Sequence, residues 1–207
     1  GMLQQIKRLV SADNSTIKYL YLLSDHNIIE CVAMKYHHGV TLCLSTQVGC
    51  AMGCSFCAST TGGLIRSLTA GEMMAQVLSV NRDLASEGKE QIGGLVLMGS
   101  GEPLDNYANT LKFIRQIHDP KGFNMGYRSI TLSTCGLVPK MFALADEGLS
   151  INLAISLHAP NDAIRRGIMK IANAYSIKDI VGAGKYYFEK TGRRVTFEYA
   201  LIKGVND

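Results

Sequence analysis

Val40-Thr41-Leu42-Cys43-Leu44-Ser45-Thr46-Gln47-Val48-Gly49-Cys50-Ala51-Met52-Gly53-Cys54-Ser55-Phe56-Cys57 joins a short apolar run to a loop crowded with thiols. Val40–Ser45 has the content of a buried strand, and it delivers the loop. From here the chain alternates strand with helix. Thr69 followed by Glu72 predicts a capping box, in which each end of the pair satisfies an orphan amide of the first helical turn. Behind it Met73, Val77, Val80 and Leu84 recur at helical spacing until Gly88 stops the helix. Leu95–Met98 predicts a buried strand that runs into Gly99-Ser100-Gly101-Glu102-Pro103. Leu111, Ile114 and Ile117 mark the next helix, and Ser129–Ser133 the next strand. A short helix over Lys140–Glu147 ends at Gly148. Ile151–Leu157 reads as a strand broken by His158-Ala159-Pro160-Asn161. Ile177, Ile180, Val181 and Phe188 outline a later helix, and Val195–Ile202 the last strand.

About five βα units in series imply parallel strands joined by right-handed crossovers, covered by helices and partly closed into a barrel. The fold class is therefore α/β, a partial (β/α) barrel. Upstream, Thr16–Leu22 and Ile28–Met34 alternate apolar and polar positions between the turn signals Ala12-Asp13-Asn14-Ser15 and Asp25-His26-Asn27. They predict a small antiparallel element. Residues 1–39 are accordingly taken as a β extension and 40–207 as the barrel portion. In such folds chemistry gathers where parallel strands end. The unusual residues of this sequence sit there: Cys50–Cys57, Gly99–Pro103, Ser133–Gly136 and Ser156–Asn161.

Composition narrows the class. The 207 residues are 47% hydrophobic and 18% charged, which suits a packed core and argues against extended disorder. The densest apolar stretch, Ile151–Leu157, falls far short of the ~20 residues of a membrane helix. No charged-then-apolar leader is visible, and Gly1 before Met2 looks like a scar of tag removal. Six cysteines, four of them between Cys43 and Cys57, suit metal or redox chemistry in a reducing compartment, so the expected location is the cytoplasm. The formal charge of +4 arises wholly after residue 100, a mild bias that permits a nucleic-acid partner without demanding one.

The sharpest signal is the C-x3-C-x2-C run Cys50, Cys54, Cys57. Three thiolates this close on one loop can ligate three irons of a [4Fe–4S] cube and leave the fourth open to a small chelating molecule. The alternative is a zinc knuckle that recruits Cys43 or a remote residue, although such sites favour paired cysteines separated by a longer span.

This triplet resembles the signature of the radical S-adenosylmethionine (SAM) enzymes. Further motifs resemble one branch, the RNA adenosine-C2 methyltransferases: Thr41–Cys50, Gly99–Pro103, Thr131–Thr134, Ile155–Asp162 and Gly204–Asp207, in that order. The resemblance spans about Thr16 to Asp207. It implies a [4Fe–4S] cluster on Cys50, Cys54 and Cys57, and SAM chelating the open iron and cleaved by one electron to a 5′-deoxyadenosyl radical. Gly101, Glu102, Ser133, Ser156, Leu157 and His158 match the branch's SAM-contacting positions. Independently, glycines allow close backbone approach and a carboxylate can accept from an ammonium group.

By the same resemblance Cys43 matches a resolving thiol, which attacks a sulfur-bound intermediate, forms a disulfide with a methyl-carrying cysteine and frees the methylated base. Glu30 falls where the branch places a proton acceptor for C2, although a lone carboxylate in a β-run is usually an exposed strand position. The implied partners are ribosomal RNA, transfer RNA in dual-specificity members, and a reductant such as flavodoxin or ferredoxin. The methyl-carrying cysteine is expected beyond Asp207, so these residues are expected to be a truncated core that binds the cluster and SAM without completing RNA methylation. Cys31 and Cys135 read as small buried hydrophobes. A zinc- or iron–sulfur-binding RNA module without catalysis, a C8 methyltransferase and a glycyl-radical activase are the alternatives.

Overall fold

The computed structural model describes residues 2–207. Three antiparallel strands open the chain: β1 (Leu3–Val10), β2 (Thr16–Leu23) and β3 (Ile28–Tyr36). They are followed by β4 (Gly39–Leu44), the short pair β5 (Gln47–Gly49) and β6 (Leu64–Ser67), and helix α1 (Ala70–Ser86). Then come β7 (Ile92–Leu97), α2 (Tyr107–His118), β8 (Ile130–Thr134), α3 (Val138–Asp146) and β9 (Asn152–Ser156). Helices α4 (Asp162–Ile168) and α5 (Ile177–Thr191) precede the last strand, β10 (Val195–Glu198).

Eight strands form one sheet in the order β1-β2-β3-β4-β7-β8-β9-β10, while β5 and β6 pair apart from it. From β4 to β10 each neighbouring pair is parallel, which is the five-strand βα series expected from the rhythm of the sequence. The antiparallel strands continue the same ladder through β3 and β4.

Register decides which side chains share a face, because paired residues point the same way and alternate residues oppose. Leu42, Leu95 and Ile130 pair in one row, and Leu44, Leu97, Leu132 and Leu153 continue that face. All are buried beneath Met73, Val77 and Val80 of α1, Ile114 and Ile117 of α2, Met141 and Leu144 of α3 and Ile180 of α5. The opposite face carries Glu30, Val32, Cys43, Val96, Thr131, Ser133, Ser156 and Glu198. The sheet curls toward that face. Ser133 Oγ on β8 reaches Glu198 Oε2 on β10 at 3.3 Å, bridging over the intervening strand.

Local rules explain the elements that the sequence predicted. Thr69 and Glu72 form the expected capping box on α1, and Gly88 follows that helix in the left-handed conformation at φ +66°. Other boundaries moved. α3 starts at Val138 rather than Lys140 because Pro139 fits a first helical turn, where no amide is needed. β10 stops at Glu198 rather than Ile202: Asn206 folds back, accepting the Ile202 amide at 2.6 Å and donating to the Ala200 carbonyl at 2.7 Å. β1, the β5–β6 pair and the seven-residue α4 went unpredicted. β1 is polar and mostly exposed, and is tied to α1 by Arg8, which contacts Asp83 at 2.9 Å and Glu87 at 2.6 Å.

Candidate functional site

The carboxyl ends of the parallel strands surround a cavity of about 240 Å³. Its walls include Cys50, Cys54, Cys57, Gly101, Glu102, Ser133, Ser156 and His158. Every strand-end loop singled out in the sequence therefore contributes to one space. Leu157, Cys43 and Glu30 are not among the lining residues.

The cysteine loop is held at both ends and underneath. Cys50 donates its amide to the Gly63 carbonyl at 3.2 Å, and Gly49 must be glycine, since it is left-handed and a Cβ there would lie 2.0 Å from that same oxygen. Thr60 Oγ1 accompanies the carbonyls of Cys54 and Cys57 at 3.2 and 3.1 Å. Below, the Ser55 amide donates to the Ile168 carbonyl at 2.9 Å, and Cys54 packs with Ile168 and Met169. Burial raises the Cys50 thiol and pushes Cys54 up to about 11, so both are neutral thiols at neutral pH until a metal displaces the proton.

The loop after β7 is drawn tightly under β4. The Gly99 amide donates to the Leu44 carbonyl at 3.0 Å, and the Ser100 carbonyl accepts from Thr46 and Gln47. Gly101 has φ +101°, and a Cβ would lie 2.5 Å from Gln47 Cβ, so only glycine fits. Glu102 is almost fully buried. Its Oε1 accepts from the Cys135 amide at 2.7 Å and its Oε2 from Leu104 at 3.0 Å. Burial raises its pKa, and these two amides oppose that rise. One carboxylate thus caps the turn at Pro103–Asn106 and lies on the cavity wall.

His158 is buried and carries φ +56°, a backbone conformation that residues with a Cβ rarely adopt. Its Nδ1 accepts the Ala200 amide at 2.8 Å, leaving Nε2 as the protonated nitrogen, and Phe56 of the cysteine loop meets its ring edge-on at 4.8 Å. Burial first, then the nearby Arg165, lowers its pKa. Leu157 is fixed through its backbone, donating to the Glu198 carbonyl at 2.9 Å. Cys43 is buried on the same sheet face as Ser133 and Glu198. Burial, reinforced by the Glu198 carboxylate, pushes its thiol up to about 11. Glu30 shares that face but is half-exposed, paired with Lys18 at 3.1 Å. All six cysteines are free thiols.

Glu198 was missed. It lines the cavity and accepts from Ser133, and its position at the end of the last parallel strand was the signal available to find it.

The sequence profile of the radical SAM superfamily matches residues 44–207. The chain belongs to the radical SAM superfamily. It is 60% identical over 97% of its length to a protein of Alkaliphilus oremlandii named probable dual-specificity RNA methyltransferase RlmN, and 58% identical over 97% to one of the same name in Clostridioides difficile. In both cases it spans 57% of the relative's length. A crystal structure of a radical SAM methyltransferase from Sphaerobacter thermophilus superposes with a TM-score of 0.95 at 46% identity, covering 100% of this chain and 60% of that one.

A radical SAM protein takes a [4Fe–4S] cluster and SAM, and the donor set suits both. Three thiols face one cavity from a single eight-residue loop, Cys50 to Cys57. A cube takes a separate iron for each thiolate, and three thiols from one loop facing one cavity suit it. Beside the thiols, Gly101 and Glu102 line the same cavity.

Proposed function

We propose that this chain is the core of a radical SAM methyltransferase that methylates C2 of adenosine in large-subunit ribosomal RNA and, as the names of its relatives suggest, in transfer RNA as well. The observation that carries this is the single cavity onto which the cysteine triplet, Gly101–Glu102, Ser133, Ser156 and His158 all open.

When bound, the cluster and SAM supply the radical and the methyl group. The protein's own residues then bind and orient. Cys50, Cys54 and Cys57 are the cluster ligands. Glu102, already fixed by two backbone amides, accepts from the ammonium group of SAM. Ser133, Ser156 and the backbone of Leu157 and His158 bound the rest of the nucleoside. Cys43, on the same sheet face, is the resolving thiol, and Glu30 the proton acceptor; the Lys18 pairing of Glu30 must open for that role. The electron comes from a flavodoxin- or ferredoxin-type donor. A cytoplasmic setting, where thiols stay reduced, suits six free cysteines, and no helix among the described residues is long and apolar enough to cross a membrane.

The test begins with anaerobic reconstitution. About four irons per chain with broad visible absorbance are expected, and they should be lost in Cys50→Ala, Cys54→Ala and Cys57→Ala. Reduction with SAM should then yield 5′-deoxyadenosine. Nucleoside mass spectrometry of RNA treated with the full-length protein should show 2-methyladenosine. One zinc and no iron would leave an RNA-binding module instead, and 8-methyladenosine would move the chain to a different branch.

A further inference from the structure

Arg165 is the largest side chain in the fold with no exposed surface. It lies on α4, whose Ile168 packs against Cys54 and accepts the Ser55 amide. Its Nη2 donates to the carbonyls of Cys135 at 2.7 Å and Ser156 at 3.0 Å, and its Nε to that of Leu157 at 3.1 Å. These carbonyls end β8 and β9, the strands that carry Ser133 and Ser156 to the cavity. Nη1 is buried with no hydrogen-bond partner.

The charge has no carboxylate of its own. No acidic oxygen among the described residues lies within ion-pair distance of the guanidinium. Asp162, on the same helix, caps Ile177 instead. The buried Glu102 stands on the far side of the Cys135 peptide, accepting its amide while Arg165 donates to its carbonyl. A buried cation left in that state is costly, and a buried donor without a partner calls for an explanation. Cys135 and Cys54 pack in one apolar cluster, so the guanidinium sits one layer below a cluster ligand. A [4Fe–4S] cube on three thiolates is anionic, and it gains a further negative charge when reduced. That is the counter-charge the buried arginine lacks.

We propose that Arg165 is a positioning residue whose fixed positive charge, held under the floor of the cysteine loop, stabilises the reduced cluster and so raises its reduction potential. This rests on the cluster site proposed above. The guanidinium does not ligate iron and does not touch the substrate. It acts through field and through the three carbonyls that it ties together. Its burial strengthens that field, because little water screens it.

The experiment compares wild-type protein with Arg165→Gln and Arg165→Lys, each reconstituted anaerobically and titrated potentiometrically by the electron paramagnetic resonance signal of the reduced cluster. R165Q keeps a donor and loses the charge. Its iron content should match wild type while its reduction equilibrium shifts at least tenfold toward the oxidised state, about 59 mV for one electron. R165K restores the charge, so its potential should return toward the wild-type value. An R165Q cluster with full iron and an unchanged potential overturns the proposal, as does an R165K potential that follows R165Q.

If neither variant folds, wild-type protein labelled with 15N-arginine decides. One solvent-protected Nε–H resonance should broaden when the cluster becomes paramagnetic, and no response from any protected arginine rejects the proposal. Wild-type protein that takes up no iron would sink the cluster site itself, a different failure from a cluster indifferent to Arg165.

Discussion

His158 Nδ1 lies 2.8 Å from the Ala200 amide, and this bond fastens the left-handed turn after β9 to the segment after β10. Asn206 completes the clasp. Its Nδ2 donates to the carbonyls of His158 at 2.6 Å and Ala200 at 2.7 Å, and its Oδ1 accepts from Ile202 at 2.6 Å. Strain at His158 persists because this buried network over-determines it.

Asn206→Ala removes all three bonds and leaves buried backbone groups without partners. The expected loss is about 2–3 kcal/mol of stability, together with weaker SAM binding as His158 drifts from the cavity. Urea unfolding and calorimetric titration of reconstituted protein read the two effects. An unchanged unfolding midpoint would show that the clasp is ornamental.

Gly101→Ala places a methyl group against Gln47 in a backbone region closed to most residues. Stability should fall by ~3 kcal/mol, and the Glu102 carboxylate should be displaced with the loop. The substitution at Gly62, where nothing lies within 4 Å of the added Cβ, is the control and should behave as wild type. Equal midpoints for the two variants would contradict the close approach described here.

Thr69→Ala deletes one half of a reciprocal cap, the bond from the Glu72 amide to Thr69 Oγ1 at 3.1 Å. A loss of about 1 kcal/mol is expected. Thr69→Ser should recover most of it, and a stability equal to wild type in T69A would mean that α1 is held by packing alone.

That cap was legible because both partners lie within one helical turn, and the cysteine triplet because its chemistry is written in its spacing. The parallel strands were legible for a related reason, since short apolar runs between turn signals report buried strands directly. Arg165 and the clasp that Asn206 makes were not. Each does its work through contacts made across at least thirty residues or by a bend that only the folded chain creates. A buried arginine reads in sequence like any surface charge beside Arg166. Glu198 was within reach, because the strand-end rule that selected Ser133 and Ser156 applies equally to β10. The register also places Glu30 and Cys43 on the cavity's side of the sheet, which no local pattern could decide.

Glu198→Gln tests whether the last strand sets the chemistry of Cys43. Burial is the larger cause of the raised thiol pKa and the Glu198 carboxylate the second, so removing the carboxylate should lower the value from about 11 without returning it to the ordinary 9.0. The sign for stability follows. Between the ordinary thiol value and about 11 the folded chain holds a proton that the unfolded chain has released. Stability from this group is therefore complete below that window and falls as pH rises through it, and E198Q should narrow the window from above. Native alkylation of Cys43 by iodoacetamide, quantified on its peptide by mass spectrometry from pH 8 to 11.5, gives the midpoint directly. A midpoint in E198Q equal to that of wild type would separate the two residues electrostatically, and with them the notion that β4 and β10 face each other across one chamber.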